Sequence, residues 1–306
     1  MSPHSFIPVI ESEMSDKEIL QGARIIKSTI ENALNANTGT IIGRFGTIEF
    51  DALYSYELVG YMSSQIFETL ERNAGIWPKI AQPRWISAYH KGAAEASVMA
   101  AGWFPPMVKS ESFWLSSYNP KCDRVPLRSL EPYYVPPEEA WTSVLANQKV
   151  AVVSSFADTI ALQLEKREAI WPQTHTVYLP KTTQFFPIKT YYSPVLAQNN
   201  PSTHWPQDIQ SWSDAVDSIV QQVLQTGAKI ALLGCGGLAL PIAYALKQHN
   251  IVAIVMGGSI QVLFGIKGRR WETHSVISKF WNSHWTNPSP HEVPGAASQI
   301  EGGCYW

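Results

Sequence analysis

The sequence predicts an α/β protein: a Rossmann-like parallel sheet with helices on both faces and a helix-rich N-terminal half. Three observations carry this. Short apolar runs recur in the second half, "KVAVV" from Lys149, "AKIALLG" ending at Gly234 and "IVAIVMG" ending at Gly257. Segments with apolar residues at helical spacing lie between them. The runs are apolar throughout instead of alternating with polar residues, which is how strands covered on both faces read.

Element by element, Ser15-Asp-Lys-Glu18 forms a capping box that starts a helix. Its apolar positions Ile19, Ala23, Ile26, Ile30 and Leu34 keep to one face. "TIIGRFG" reads as a short buried strand ending in a loop, and residues 47–102 as mostly helical with breaks near Gly75 and Pro83. Residues 103–140, rich in Pro, Tyr and Trp, are the least regular part. "KVAVVSSF" is a strand, "ADTIALQLEKRE" a helix and "HTVYLP" a further strand. Residues 183–207 read as a long irregular connection. A helix carries Ile209, Trp212, Val216, Ile219, Val220 and Val223 on one face, and "LALPIAYALKQHN" forms the last helix before the final strand. The expected organisation is one domain over 1–306, with a helix-rich part (1–145), a Rossmann-like part (146–280) and a tail (281–306).

Bulk properties narrow the functional classes. The chain has 306 residues, a net charge of -2, 45% hydrophobic and 16% charged residues. Its sequence pI is about 6.4 and its mean hydropathy -0.09. No global basic field exists to hold a nucleic-acid backbone, so any cationic site must be local. The opening "MSPHSFIPVI" lacks a basic region followed by an apolar one, and the longest apolar region, Ile230–Leu246, is interrupted by Gly and Pro. Three scattered cysteines, Cys122, Cys235 and Cys304, have no metal spacing and suit a reducing compartment. The expected location is cytoplasmic. The eight histidines, from His4 to His291, include no zinc-ligand pair, and no G-x-S-x-G nucleophile elbow occurs.

Three constellations carry the chemistry. Gly234, Gly236 and Gly237 with Ala239 complete G-x-G-x-x-G/A between a strand and a helix, where bare backbone and a helix N-terminus suit phosphate. The next strand ends in Met256-Gly257-Gly258 and supplies no acid for a ribose, which weakens a dinucleotide reading. Next, Gly257 and Gly258 precede "FGIKGRRW", whose Lys267, Arg269 and Arg270 offer local charge for a diphosphate and whose Trp271 can stack on a ring. In "GRFGTIEF", finally, Arg44 stands at a strand end and Glu49 just beyond the turn at Gly46-Thr47, placed either as metal ligand or base, or as the partner of Arg44 in a buried ion pair. Ser155, beside Ser154 and Asp158, occupies a further strand-to-helix turn and serves as a cap or a weaker ligand contact.

Taken together and in this order, these segments resemble the GT-D type glycosyltransferases. "RFGTIEF" looks like their R-[FY]-G-x-x-E motif. "GGSIQVLFGIKGRRW" is similar to a segment of relatives from polysaccharide loci, as are the mid-chain block from Pro137 to Pro172 and the ending "IEGGCYW". The resemblance spans about Ile41 to Trp306. It implies transfer of a sugar from a nucleoside-diphosphate sugar, UDP-linked by preference, to a hydroxyl of a glycan acceptor. The group carries an Asp-x-Glu pair at the first site. Here Glu49 matches the second acid and Thr47 stands where the Asp would be. Either Glu49 holds a divalent cation (Mn²⁺ or Mg²⁺) with help from Asp51 or water, or the transfer is metal-independent and Lys267, Arg269 and Arg270 neutralise the diphosphate. Arg44 matches the family arginine. The glycines would cradle the nucleotide, and the aromatic stretch Trp103–Tyr134 would line the acceptor cleft. The rival readings are an NAD-dependent oxidoreductase and a nucleotide-sugar-binding protein without catalysis.

Overall fold

A computed structural model describes residues 15–300 and 302–306. The readings made of Met1–Ile10 and of His4 lie outside these residues. Seven strands follow the chain: β1 (Thr40–Arg44), β2 (Val98–Ala101), β3 (Asp123–Pro126), β4 (Lys149–Ser154), β5 (Gln184–Lys189), β6 (Ile230–Gly234) and β7 (Val252–Val255). They form one sheet in the order β3-β2-β1-β7-β6-β4-β5, and every pairing is parallel. The N-terminal half therefore supplies three strands of the common sheet.

Helices fill the crossovers that parallel pairing requires. The first five are α1 (Asp16–Ala36), α2 (Thr47–Val59), α3 (Ser64–Asn73), α4 (Gln82–Ala94) and α5 (Val108–Tyr118). Short α6 (Leu127–Leu130), α7 (Ala157–Leu164), α8 (Arg167–Ile170) and α9 (Pro194–Ala197) follow, then α10 (Trp212–Thr226), α11 (Ala239–Gln248) and α12 (Ser259–Leu263). Alternate strand residues point to opposite faces, and this divides the core in two. Ile41, Val153, Leu233 and Ala253 face α2, α4, α10 and α11. Ile42, Val152, Leu232 and Ile254 face α1, α7 and α12. The capping box at Ser15 is formed, and α1 buries Ile19, Ala23, Ile26, Ile30 and Ala33. Each buried Ile contributes about 1.5–3 kcal/mol. Leu34 packs against this cluster from a partly exposed position.

Several elements differ from the sequence expectation, each for a physical reason. "HTVYLP" is not a strand: Gln173–Tyr178 forms a 3-10 helix after Pro172. Its Tyr178 is spent on packing edge-on to Trp171 and donating to the Val135 carbonyl. The strand lies instead inside the supposed irregular connection, as β5. Pro187 disguises it, but an edge strand tolerates proline, and β5 is an edge. The other edge, β3, ends in Pro126. The four-residue β2, "VMAA", is too short to carry a period. The stretch 103–140 holds the regular helix α5. Gly75 does break the chain, at φ +78°, whereas Pro83 sits harmlessly in the first turn of α4.

The topology fixes where a ligand can sit. After β1 and β6 the chain turns onto one face (α2, α11); after β4 and β7 it turns onto the other (α7, α12). At neighbouring strands that part in this way, a crevice opens beyond the carboxyl ends. The Trp85 indole of α4 donates to the Gly237 carbonyl at 2.8 Å and so ties α4 to the turn after β6. Trp85→Phe keeps most of the apolar bulk but strands that buried carbonyl. It should cost about 1–3 kcal/mol, read as a lower urea midpoint; an unchanged midpoint would show that the bond contributes nothing.

Candidate functional site

The crevice holds a cavity of about 620 Å³ at the carboxyl ends of β1, β4, β6 and β7. It gathers Arg44, Gly46, Thr47, Glu49, Ser155, Gly234, Gly236, Gly257, Gly258 and Arg270. The sequence had placed these in four separate segments. Gly237, Lys267 and Arg269 do not line it.

Arg44 ends β1, and its side chain runs across the end of β7. A Cβ added at Gly257 would lie 3.2 Å from an Arg44 guanidinium nitrogen, and Gly257 has φ +59°. The guanidinium also stacks on Trp103, 4.4 Å from the ring centroid, and its Nε donates to the Phe45 carbonyl at 3.2 Å. No ion pair joins Arg44 to Glu49, so the turn is not held by the buried pair that the sequence had left open. Arg270 approaches the adjacent glycine: a Cβ at Gly258 would lie 3.6 Å from its guanidinium. It lies over Tyr305 at 4.5 Å and Trp271 at 5.7 Å. Two guanidiniums thus converge on one bare stretch of backbone.

Glu49 occupies the first turn of α2, where a helix N-terminus favours a negative charge. Its carboxylate folds back against Gly46, where a Cβ would meet Oε2 at 2.0 Å, so a side chain there would displace the carboxylate. Glu49 is buried, and burial raises its pKa, while a local backbone hydrogen bond and nearby Arg44 act in the opposite direction. Tyr89, fully buried in the same place, receives the Gly46 N–H on its hydroxyl at 3.4 Å. Burial and the charge of Glu49 push its phenol well above the ordinary range.

The other predicted residues fare differently. Gly234 stands close to the Ile260 side chain and the Gly257 carbonyl. The Gly236-Gly237 turn is covered by the protein itself: Gly237 donates to the Ala74 carbonyl at 3.0 Å, and Ala74 also lies over Gly236. The N–H group that a pyrophosphate would use at Gly237 is already taken. Lys267 is turned away, with its ammonium over the Trp281 ring at 5.3 Å. Arg269 is exposed and reaches the Gly302 carbonyl at 3.4 Å. The expected trio of cations facing a diphosphate is therefore reduced, within the cavity, to Arg270, with Arg44 joining it from the first half. Ser155 accepts a hydrogen bond from Tyr192 at 3.0 Å, and Trp306 donates to the same tyrosine at 3.3 Å.

The donor set around Glu49 does not fit a protein-held divalent cation. Asp51 opens into a different cleft, and Thr47 offers no carboxylate. Among the described residues one trio has ligand-like spacing, Asp158, His291 and Glu292. Its groups are already partnered. Asp158 pairs with Lys189 at 2.6 Å and His291 at 3.0 Å. Glu292 receives the N–H groups of Asp158 and Thr159 and the Thr159 hydroxyl, and so caps α7.

Some contributors escaped the sequence reading. Tyr305 and Trp306 line the cavity because the tail folds back onto it, and Tyr192 and His274 join them. Glu111, in α5, is buried beneath the site and accepts the Gly102 N–H at 2.9 Å, next to the Trp103 that supports Arg44. No local signal marks it, since an acid among "KSESF" reads as a solvated helix face. Compared with known protein families, curated proteins and solved structures, the chain matches none of them.

Burial pushes the Glu111 carboxyl up to about 7, against the Gly102 hydrogen bond and nearby Arg44 and Arg124. The folded protein therefore holds this proton more tightly than the unfolded chain. The contribution is full below about pH 4.5 and is lost as pH rises through about 7. Relative to Glu111→Gln, the native chain should lose on the order of 3 kcal/mol across that window. Urea midpoints from pH 4 to 8 measure this; a difference that stays flat with pH would refute it.

Proposed function

We propose that the chain is a glycosyltransferase that moves a sugar from a nucleoside diphosphate, UDP by preference, to a hydroxyl of a glycan acceptor. One observation carries the reading: Arg44 and Arg270 converge on Gly257-Gly258 in the cavity that also holds the buried carboxyl of Glu49. Two guanidiniums on the wall of one cavity suit a diphosphate, since each guanidinium offers a planar fork of donors. Charge that develops on the departing diphosphate would be met by fixed cations that need no reorganisation. In this reading Glu49 takes the proton of the acceptor hydroxyl. Burial raises its pKa, and a more basic carboxylate is a better proton acceptor.

The resemblance to GT-D type glycosyltransferases agrees with this assignment, and the replacement of their acid by Thr47 agrees with a diphosphate held by arginines. Neither Mn²⁺ nor Mg²⁺ enters the reading. A nicotinamide dinucleotide is disfavoured, because Ala74 occupies the Gly237 N–H and no acid follows β7.

Calorimetric titration of UDP and GDP tests the proposal. Arg44→Ala and Arg270→Ala should each weaken binding by about 10- to 100-fold. Lys267→Ala should leave it unchanged, and EDTA should have little effect. Binding of NAD without either nucleoside diphosphate would overturn the reading.

Glu49→Gln separates catalysis from binding. It should retain the nucleotide but lose transfer and donor hydrolysis by at least about 100-fold. Equal turnover in both proteins would leave only a nucleotide-sugar-binding protein.

A further inference from the structure

A second cleft, of about 310 Å³, lies on the other side of the first turns of α2. Thr47, Ile48 and Phe104 line both spaces, so the two adjoin. Helical spacing explains the arrangement: residues two apart point about 200° from one another. Glu49 thus faces the main cavity while Asp51 faces the second cleft.

The walls of this cleft combine two kinds of surface. Tyr54 is stacked on buried Phe50, with centroids 5.6 Å apart and planes at 24°, which makes it a fixed platform. Phe104 is 39% exposed, an open aromatic face steadied by Trp103 at 5.7 Å. Asp51 and Ser110 add polar groups at the edge. Among the described residues lining this cleft there is no Lys or Arg, in contrast to the cavity beside it.

We propose that this cleft is a carbohydrate subsite for the acceptor's terminal sugar, with a ring face against Phe104 and Tyr54 and hydroxyls on Asp51. The inference rests on the transferase reading and adds the acceptor's chemistry to it. Charge selects the occupant. An anionic group is repelled by Asp51 and drawn to Arg44 and Arg270 next door. A purely apolar ligand would strip water from the Asp51 carboxylate without replacing it, which is costly. A neutral sugar has an apolar C–H face and a rim of hydroxyl donors, and so satisfies both surfaces. A sugar seated there presents its hydroxyl over Thr47 and Ile48 toward Glu49.

Saturation-transfer NMR tests this with the methyl β-glycosides of glucose, galactose and N-acetylglucosamine, while UDP is titrated into the same samples. At least one glycoside should receive saturation on its ring protons. Asp51→Asn and Phe104→Ala should each weaken that binding by about tenfold. UDP affinity should not change in Asp51→Asn, an exposed substitution that leaves the fold intact. No transfer to any glycoside would overturn the subsite, as would transfer undiminished in both variants. If the native chain binds a glycoside through Asp51 but fails to bind UDP or GDP, the carbohydrate site stands and the donor reading falls.

Discussion

Arg44 lies across Gly257, and this contact joins the two halves of the chain at the mouth of the sheet. β1 and β7 are neighbours in the sheet although some 200 residues separate them. Their following segments leave toward opposite faces, so the space between them has to be filled or left as a crevice. A side chain at position 257 would strain a left-handed backbone and meet the guanidinium at 3.2 Å. With glycine there, the arginine lies flat, backed by Trp103, and its charge is held beside bare backbone. Trp103 is positioned in turn by the turn after β2, which Glu111 braces from below through the Gly102 N–H.

Buried acids perform distinct tasks in this arrangement. Glu292 satisfies the amides that open α7 and is structural. Glu111 braces a turn, and burial raises its pKa against the opposing Gly102 hydrogen bond. Glu49 faces the cavity itself. Its carboxylate stays in place because Gly46 leaves room and because the first turn of α2 offers positive potential. Two acids, Glu49 and Glu131, and two arginines, Arg44 and Arg270, line the cavity, whereas the described residues of the adjoining cleft include one exposed acid, Asp51, and no Lys or Arg.

The glycine-rich turn after β6 has a different meaning from its pattern. Gly236 and Gly237 are small because the Ala74 carbonyl and Ile76 pack on them. The backbone that approaches is the protein's own. Ile300, Tyr305 and Trp306, in contrast, line the cavity: Tyr305 covers Gly258 and Arg270, and Trp306 reaches Tyr192. No helix of the described residues is long and apolar enough to cross a membrane.

The α/β class, the parallel central strands β4, β6 and β7 and the capped α1 were readable from the sequence, because apolar period and capping chemistry are local. The edges were not: β3 and β5 carry prolines that only an edge position excuses, and β2 is too short to have a period. Arg44, Glu49, Gly257 and Arg270 could be picked out as residue types suited to phosphate chemistry. Which of three neighbouring cations faces the cavity was decided by packing. Lys267 finds the Trp281 ring and Arg269 a carbonyl, whereas Arg270, also exposed, lies over Tyr305 and Trp271 on the cavity wall. Sequence by itself determined β1, β4, β6 and β7, the capped α1 and the chemical inventory. The tertiary structure alone decided which charges meet, because strands from opposite ends of the chain become neighbours only when the sheet closes.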